Sequence, residues 1–170
     1  MKLTSAYANK LLKQLAEEKA YWVNRENSSC VYTVAVGETA VVPEYDFAEV
    51  AGRITEIDKK TSAIKHAINL ANVNGRVKVG EEELSIDTIL VAMAQLNKRK
   101  AVLDEMRKRQ PKARCNGGYY ASRTAAPEYE YINYDLTLVK EEYERVSTEI
   151  MEMQMALDRY NQTFEFEAAV

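Results

Sequence analysis

The stretch Val50–Ala71, VAGRITEIDKKTSAIKHAINLA, carries the clearest structural instruction in the chain. Within it Val50, Ile54, Ile57, Thr61, Ile64, Ile68 and Ala71 succeed one another at alternating steps of four and three. That rhythm places side chains along one seam of a helix and requires another helix to cover them. Near the other end of the chain, Val139, Tyr143, Val146, Ile150, Met153, Leu157 and Tyr160 repeat the same alternation. Two regular seams predict two long rods, each lying against a partner.

A third seam runs through Ile86, Ile89, Met93, Leu96, Lys100 and Leu103, with a lysine where the pattern asks for an apolar residue. A fourth segment, from about Thr4 to Trp22, sets Ala8, Leu11, Leu15 and Trp22 in register, with Leu12 and Ala16 as a second row. Acids four residues before bases (Glu56 and Lys60, Glu105 and Arg109, Glu141 and Arg145) suit exposed helix faces. Asp46 and Ser85 are placed to cap the second and third helices. Pro111 closes the third.

Between the helices the pattern changes. Cys30–Ala35 alternates, Gly37-Glu38 follows, and Thr39–Val42 leads to Pro43, which predicts a hairpin over about 29–43. A second hairpin is expected over about 76–85, turning at Gly80. From Pro111 to Tyr134 no helical pattern survives, so a segment of about 113–133 is a hairpin, a binding loop or disordered. The alternation in Phe164-Glu165-Phe166-Glu167 suits one short edge strand. The expected fold class is mainly α: about four long, antiparallel, coiled-coil-like helices (about 3–25, 46–72, 86–110 and 135–162) with one or two small β-hairpins, in a single domain.

Composition excludes several functions and leaves others open. The longest purely apolar run, Ile89–Ala94, is far short of the ~20 residues needed to cross a bilayer. Lys2, Thr4, Ser5, Asn9, Lys10 and Lys13 interrupt any signal-peptide core, so a cytoplasmic location is expected. Cys30 and Cys115 form no CxxC pair, and His66 is the chain's one histidine. It lies off the seam, as a surface residue would. No serine or cysteine nucleophile with its base, no glycine-rich phosphate loop and no Glu-x-x-His metal pair is legible, so neither an enzyme nor a metal or other cofactor is expected.

Charge is uneven although the net is only −3. Lys98–Arg114 holds eight bases against Asp104 and Glu105, whereas Glu128–Glu167 holds eleven acids against three bases. The candidate interaction surface is therefore Lys98, Arg99, Arg107, Lys108, Arg109, Lys112 and Arg114, with Tyr119, Tyr120, Tyr129 and Tyr131 as aromatic contacts. These residues suit phosphates and unpaired bases, which makes a nucleic-acid accessory role the rival reading. The acidic fourth helix, laid beside the third, would cancel that field. For the tyrosines, packing on the bundle is favoured over a binding surface. Asn69 and Asn72 are expected to take the left-handed cap conformation at the end of the second helix, or to fix register across helices. More seam surface exists than one layer of helices covers, and the leading expectation is a non-catalytic helical protein assembled as a homo-oligomer.

The order of segments also resembles a family of small, uncharacterised bacterial helical proteins labelled septicolysin-like. The resemblance rests on Met1-Lys2-Leu3 and its helix, Ile68-Asn69-Leu70-Ala71-Asn72 before a short turn, and Leu84-Ser85 leading into a helix. Leu157-Asp158 and Asn161-Gln162-Thr163 before an aromatic complete it. Ala71 stands where the family tends to have threonine, and Phe164 where tryptophan is expected. The label implies haemolysin-like membrane activity, while the family's sequences lack export signals.

Overall fold

The computed structural model describes residues 1–114 and 128–169. Its elements run β1 (Lys2–Thr4), α1 (Ser5–Ser29), α2 (Phe47–Asn74), β2 (Arg76–Val79), β3 (Glu82–Ser85), α3 (Ile86–Lys108), β4 (Lys112–Arg114), β5 (Tyr129–Tyr131), α4 (Leu136–Thr163) and β6 (Glu165–Glu167). The protein is mainly α, with small antiparallel strand pairs.

Each helix starts at a side-chain cap. Thr4 accepts from the Tyr7 amide at 3.2 Å, and Ser85 from the Thr88 amide at 3.3 Å. Asp46 accepts from Ala48 and Glu49 at 2.8 and 3.1 Å, and Asp135 from Thr137 and Leu138 at 2.7 and 3.4 Å. Each cap satisfies first-turn N–H groups that have no partner inside the helix.

Packing follows the seams. All seven α2 seam positions and all seven on α4 are buried or half-buried, and Ile57 and Val146 lie well inside. α1 packs along α2, tied by the Lys19 ammonium to Asp58 at 2.7 Å, and α3 packs along α4. Lys100, the interruption in the third seam, is half-buried with its ammonium 5.4 Å from the Tyr143 ring centroid on α4. There a cation over an aromatic face replaces an apolar knob.

The two pairs do not merge into one bundle. Leu103, Val139 and Val146 form a core with α3 and α4 neighbours and Tyr134, whereas Leu3, Ala8, Ile64, Ala67 and Ala168 form another with α1, α2 and β6. Among the described residues the pairs meet where α1 touches α4 and α2 touches α3, with Tyr160 bonded to Ala71 and Ile86 and Leu157 packed beside it. The chain is a two-armed molecule: one arm is α1 and α2, the other α3 and α4.

The arms are built on one plan. Leu3, Thr4, Ser5 and Ala8 stand in the first arm where Leu84, Ser85, Ile86 and Ile89 stand in the second. Asp46, Val50, Ile57, Ile64, Ala71 and Val77 correspond at a constant separation to Asp135, Val139, Val146, Met153, Tyr160 and Phe166. The strands obey the same relation: Val77 pairs with Leu84 in β2–β3, and Phe166 with Leu3 in β1–β6. The chain is thus an internal repeat about an approximate two-fold axis through the junction.

Several expectations are corrected. Residues 30–46 form no strand. A turn is present, with Gly37 at φ 89° and the Glu38 amide donating to Ala35 O at 3.1 Å, but no ladder follows it. Val31–Thr39 is exposed throughout, and two strands with no packed face are marginal in water. The asparagine cap is also absent: among the described residues every positive φ belongs to glycine, and α2 ends where the Gly75 amide donates to Ala71 O. Glu105 yields Arg109 to Glu130, and Arg145 pairs with Glu142 and Glu149 instead of Glu141. Hairpin 76–85 forms with Gly80 at φ 58°, and β6 adds to β1.

Candidate interaction surfaces

Three places on this frame offer more than packing: the far end of each arm and the junction cleft. The end of the first arm is the segment between α1 and α2. It exposes Val31, Tyr32, Val34, Val36, Val41 and Val42, with Phe47 opening α2. Val36 is fully exposed and Val41 is 90% exposed. From Glu26 to Gly52 the chain carries five acids, Glu26, Glu38, Glu44, Asp46 and Glu49, and no lysine or arginine. The segment is greasy and acidic together, and within 30–46 only Ala40, Pro43 and Tyr45 are half-buried. Glu26 also accepts from the Tyr45 hydroxyl at 3.4 Å, and burial and this carboxylate raise the Tyr45 pKa.

The far end of the second arm is a β4–β5 hairpin, in register at Ala113 and Glu130. Lys112 sits 4.2 Å from the Tyr129 ring centroid and 5.4 Å from that of Tyr131. These two tyrosines are exposed, not packed on the helices as expected, whereas Tyr134 packs, its hydroxyl donating to Met106 O at 2.7 Å. A groove of about 360 Å³ beside the hairpin is lined by Arg109, Gln110, Ala113, Glu130, Tyr131 and Ile132.

The basic residues do not act as one patch. Asp104 takes Arg107 at 2.8 Å and also pairs with Lys108, and these donors hold its carboxyl below the usual range. Arg107 stacks 4.0 Å from the Tyr143 centroid, and Arg109 reaches Glu130 at 3.1 Å. Lys98 and Arg99 are exposed on α3, away from the hairpin. Lys112 and Arg114 on β4 have no carboxylate partner among the described residues. Tyr119 and Tyr120 lie outside the described residues.

At the junction, a cleft of about 260 Å³ straddles the approximate axis. Its lining falls into equivalent pairs: Ser5 with Ile86, Asn9 with Leu90, Ile68 with Leu157, and Asn72 with Asn161. Asn72 is half-buried there, while Asn69 is exposed one turn away. The Ser5 hydroxyl is buried without a protein partner. This lining offers hydroxyl and amide hydrogen bonds on apolar walls and no titratable group, so it suits ordered water better than acid–base chemistry.

His66 is exposed, and the described residues contain no group of His, Cys, Asp and Glu arranged to hold a metal. Sequence reasoning missed the internal repeat and the junction cleft it creates. The signal for both was the identical step pattern of the α2 and α4 seams. Comparison with protein-family models, with curated proteins and with solved structures finds no match to this chain.

Proposed function

We propose that this protein is a non-catalytic, self-associating structural or interaction protein, a two-armed spacer that joins copies of itself through the arm ends. The observation that carries the reading is the exposed apolar segment Val31–Phe47. A single exposed valine is ordinary, but a contiguous run marks an interaction site. Covering each valine fully is worth about 1.5 kcal/mol or more, so several together repay the ordering of a short segment.

The rival, a nucleic-acid accessory role, has less support. Asp104 and Glu130 already neutralise much of the basic segment, and α4 brings further acids alongside α3. A membrane-active role is what the septicolysin-like resemblance implies; among the described residues no helix is long and apolar enough to cross a bilayer. Leakage of dye from liposomes tests that role directly.

The deciding measurement is light scattering coupled to gel filtration at micromolar concentration. The expected result is a mass that is a multiple of 19.4 kDa. A single-chain mass would retire the proposal, and retardation of nucleic acid at low salt would favour the rival.

A further inference from the structure

The two arms share a plan but differ at their far ends, and the difference is complementary. One end has strand-forming side chains and no strand, with Val31–Thr39, Val41 and Val42 all exposed. At the other end β4 pairs with β5, and the groove beside them carries Ala113 and Ile132 among Arg109, Gln110, Glu130 and Tyr131. Between Arg25 and Arg53, which both lie over the Trp22 ring, the first end carries acids and no bases, whereas β4 presents Lys112, over the Tyr129 ring, and Arg114, neither with a carboxylate partner among the described residues. A two-stranded hairpin also has an outer row of backbone groups on each strand, ready to accept another strand.

We infer that part of the Val31–Val42 segment of one copy adds as a strand along β4 of a second copy, setting valines beside Ala113 and Ile132 and Glu38 towards Lys112 and Arg114. The inference rests on the self-association reading and deepens it by naming both faces of the contact. The two faces differ, so the contact is heterologous, and repeating it closes a ring or grows a filament. It also accounts for the unpaired turn at Gly37: the hairpin expected there obtains its third strand and its apolar cover only from a neighbour.

The test uses two variants of the full chain. The first carries Val34→Asp and Val36→Asp, both at exposed positions. The second carries Lys112→Glu and Arg114→Glu. Circular dichroism establishes that each keeps the wild-type helix content. Each variant alone is expected to show the single-chain mass, because one face of the contact is spoiled. Mixed in equal amounts, they are expected to give a species of twice that mass, since one intact pair of faces remains. Raising salt to about 0.5 M is expected to weaken wild-type association.

Three outcomes overturn the assignment, and they differ. If wild type is a single chain, the self-association reading falls with it. If wild type associates but the Lys112/Arg114 variant alone keeps the full wild-type mass, β4 is not the seat and only this inference is lost. It is equally lost if both variants are single chains yet the mixture shows no doubled species.

Discussion

The Tyr160 hydroxyl donates to the Ala71 carbonyl at 2.8 Å, joining two residues that occupy the same position in the two arms. A large side chain from one arm and a small one from the other fill the space on the axis, where two tyrosines would collide. Tyr160 is buried, and that burial raises its phenol pKa. Removing the hydroxyl in Tyr160→Phe is expected to cost about 1 kcal/mol, because Ala71 O still accepts from the Gly75 amide. Denaturant unfolding checks it, and an unchanged midpoint would show that the bond contributes nothing.

Gly75 sits under that ring. A Cβ there would lie 2.2 Å from the Tyr160 hydroxyl oxygen and 2.7 Å from Ala71 O, although φ of −66° suits any residue. Gly75→Ala is therefore expected to destabilise by about 1–3 kcal/mol through overpacking alone. Combined with Tyr160→Phe the loss should be less than additive, as a double-mutant cycle would read. Strict additivity would place the clash elsewhere.

The independent core of the second arm predicts a sharp contrast between neighbours. Leu103 is buried on α3, and Leu103→Ala is expected to cost about 2–5 kcal/mol. Val102 faces solvent, and Val102→Ala should stay within about 0.5 kcal/mol. Thermal unfolding of both variants checks the pair, and similar losses would contradict the α3–α4 packing.

Asp104 provides the pH test. Hydrogen bonds from Lys108 and then Arg107 lower its pKa in the folded state. A carboxyl depressed on folding contributes stability above its unfolded pKa of about 3.9 and loses it as pH falls through the lower folded value. The melting-temperature gap between wild type and Asp104→Asn should therefore be present at neutral pH and narrow below about pH 4. A gap that is constant with pH would mean the pairing is not what Asp104 contributes.

The helices were legible because seams such as Val50–Ala71 and Val139–Tyr160 are statements about periodicity, which survives without knowledge of the partner. Caps at Asp46 and Ser85 were legible for the same local reason. What a sequence read one helix at a time hid was any relation between distant segments. The repeat was visible in two identical step patterns but goes unseen unless the halves are laid over one another. The segment Cys30–Val42 misled because alternation reports a preference for strand, and a strand also needs a neighbour that this chain alone does not supply. Arg109 went to Glu130 because the β4–β5 pairing brings β5 next to the end of α3, which spacing along a helix cannot foresee.

The side-by-side placement of β1 and β6, with the Met1 ammonium donating to Ala168 O at 2.7 Å, mirrors the short β2–β3 turn at Gly80. The order in which the halves are written is then arbitrary as far as packing is concerned. A circular permutant opened at Gly80, with Ala168 bridged to Met1 by a few flexible residues, should reach the same architecture with its halves exchanged.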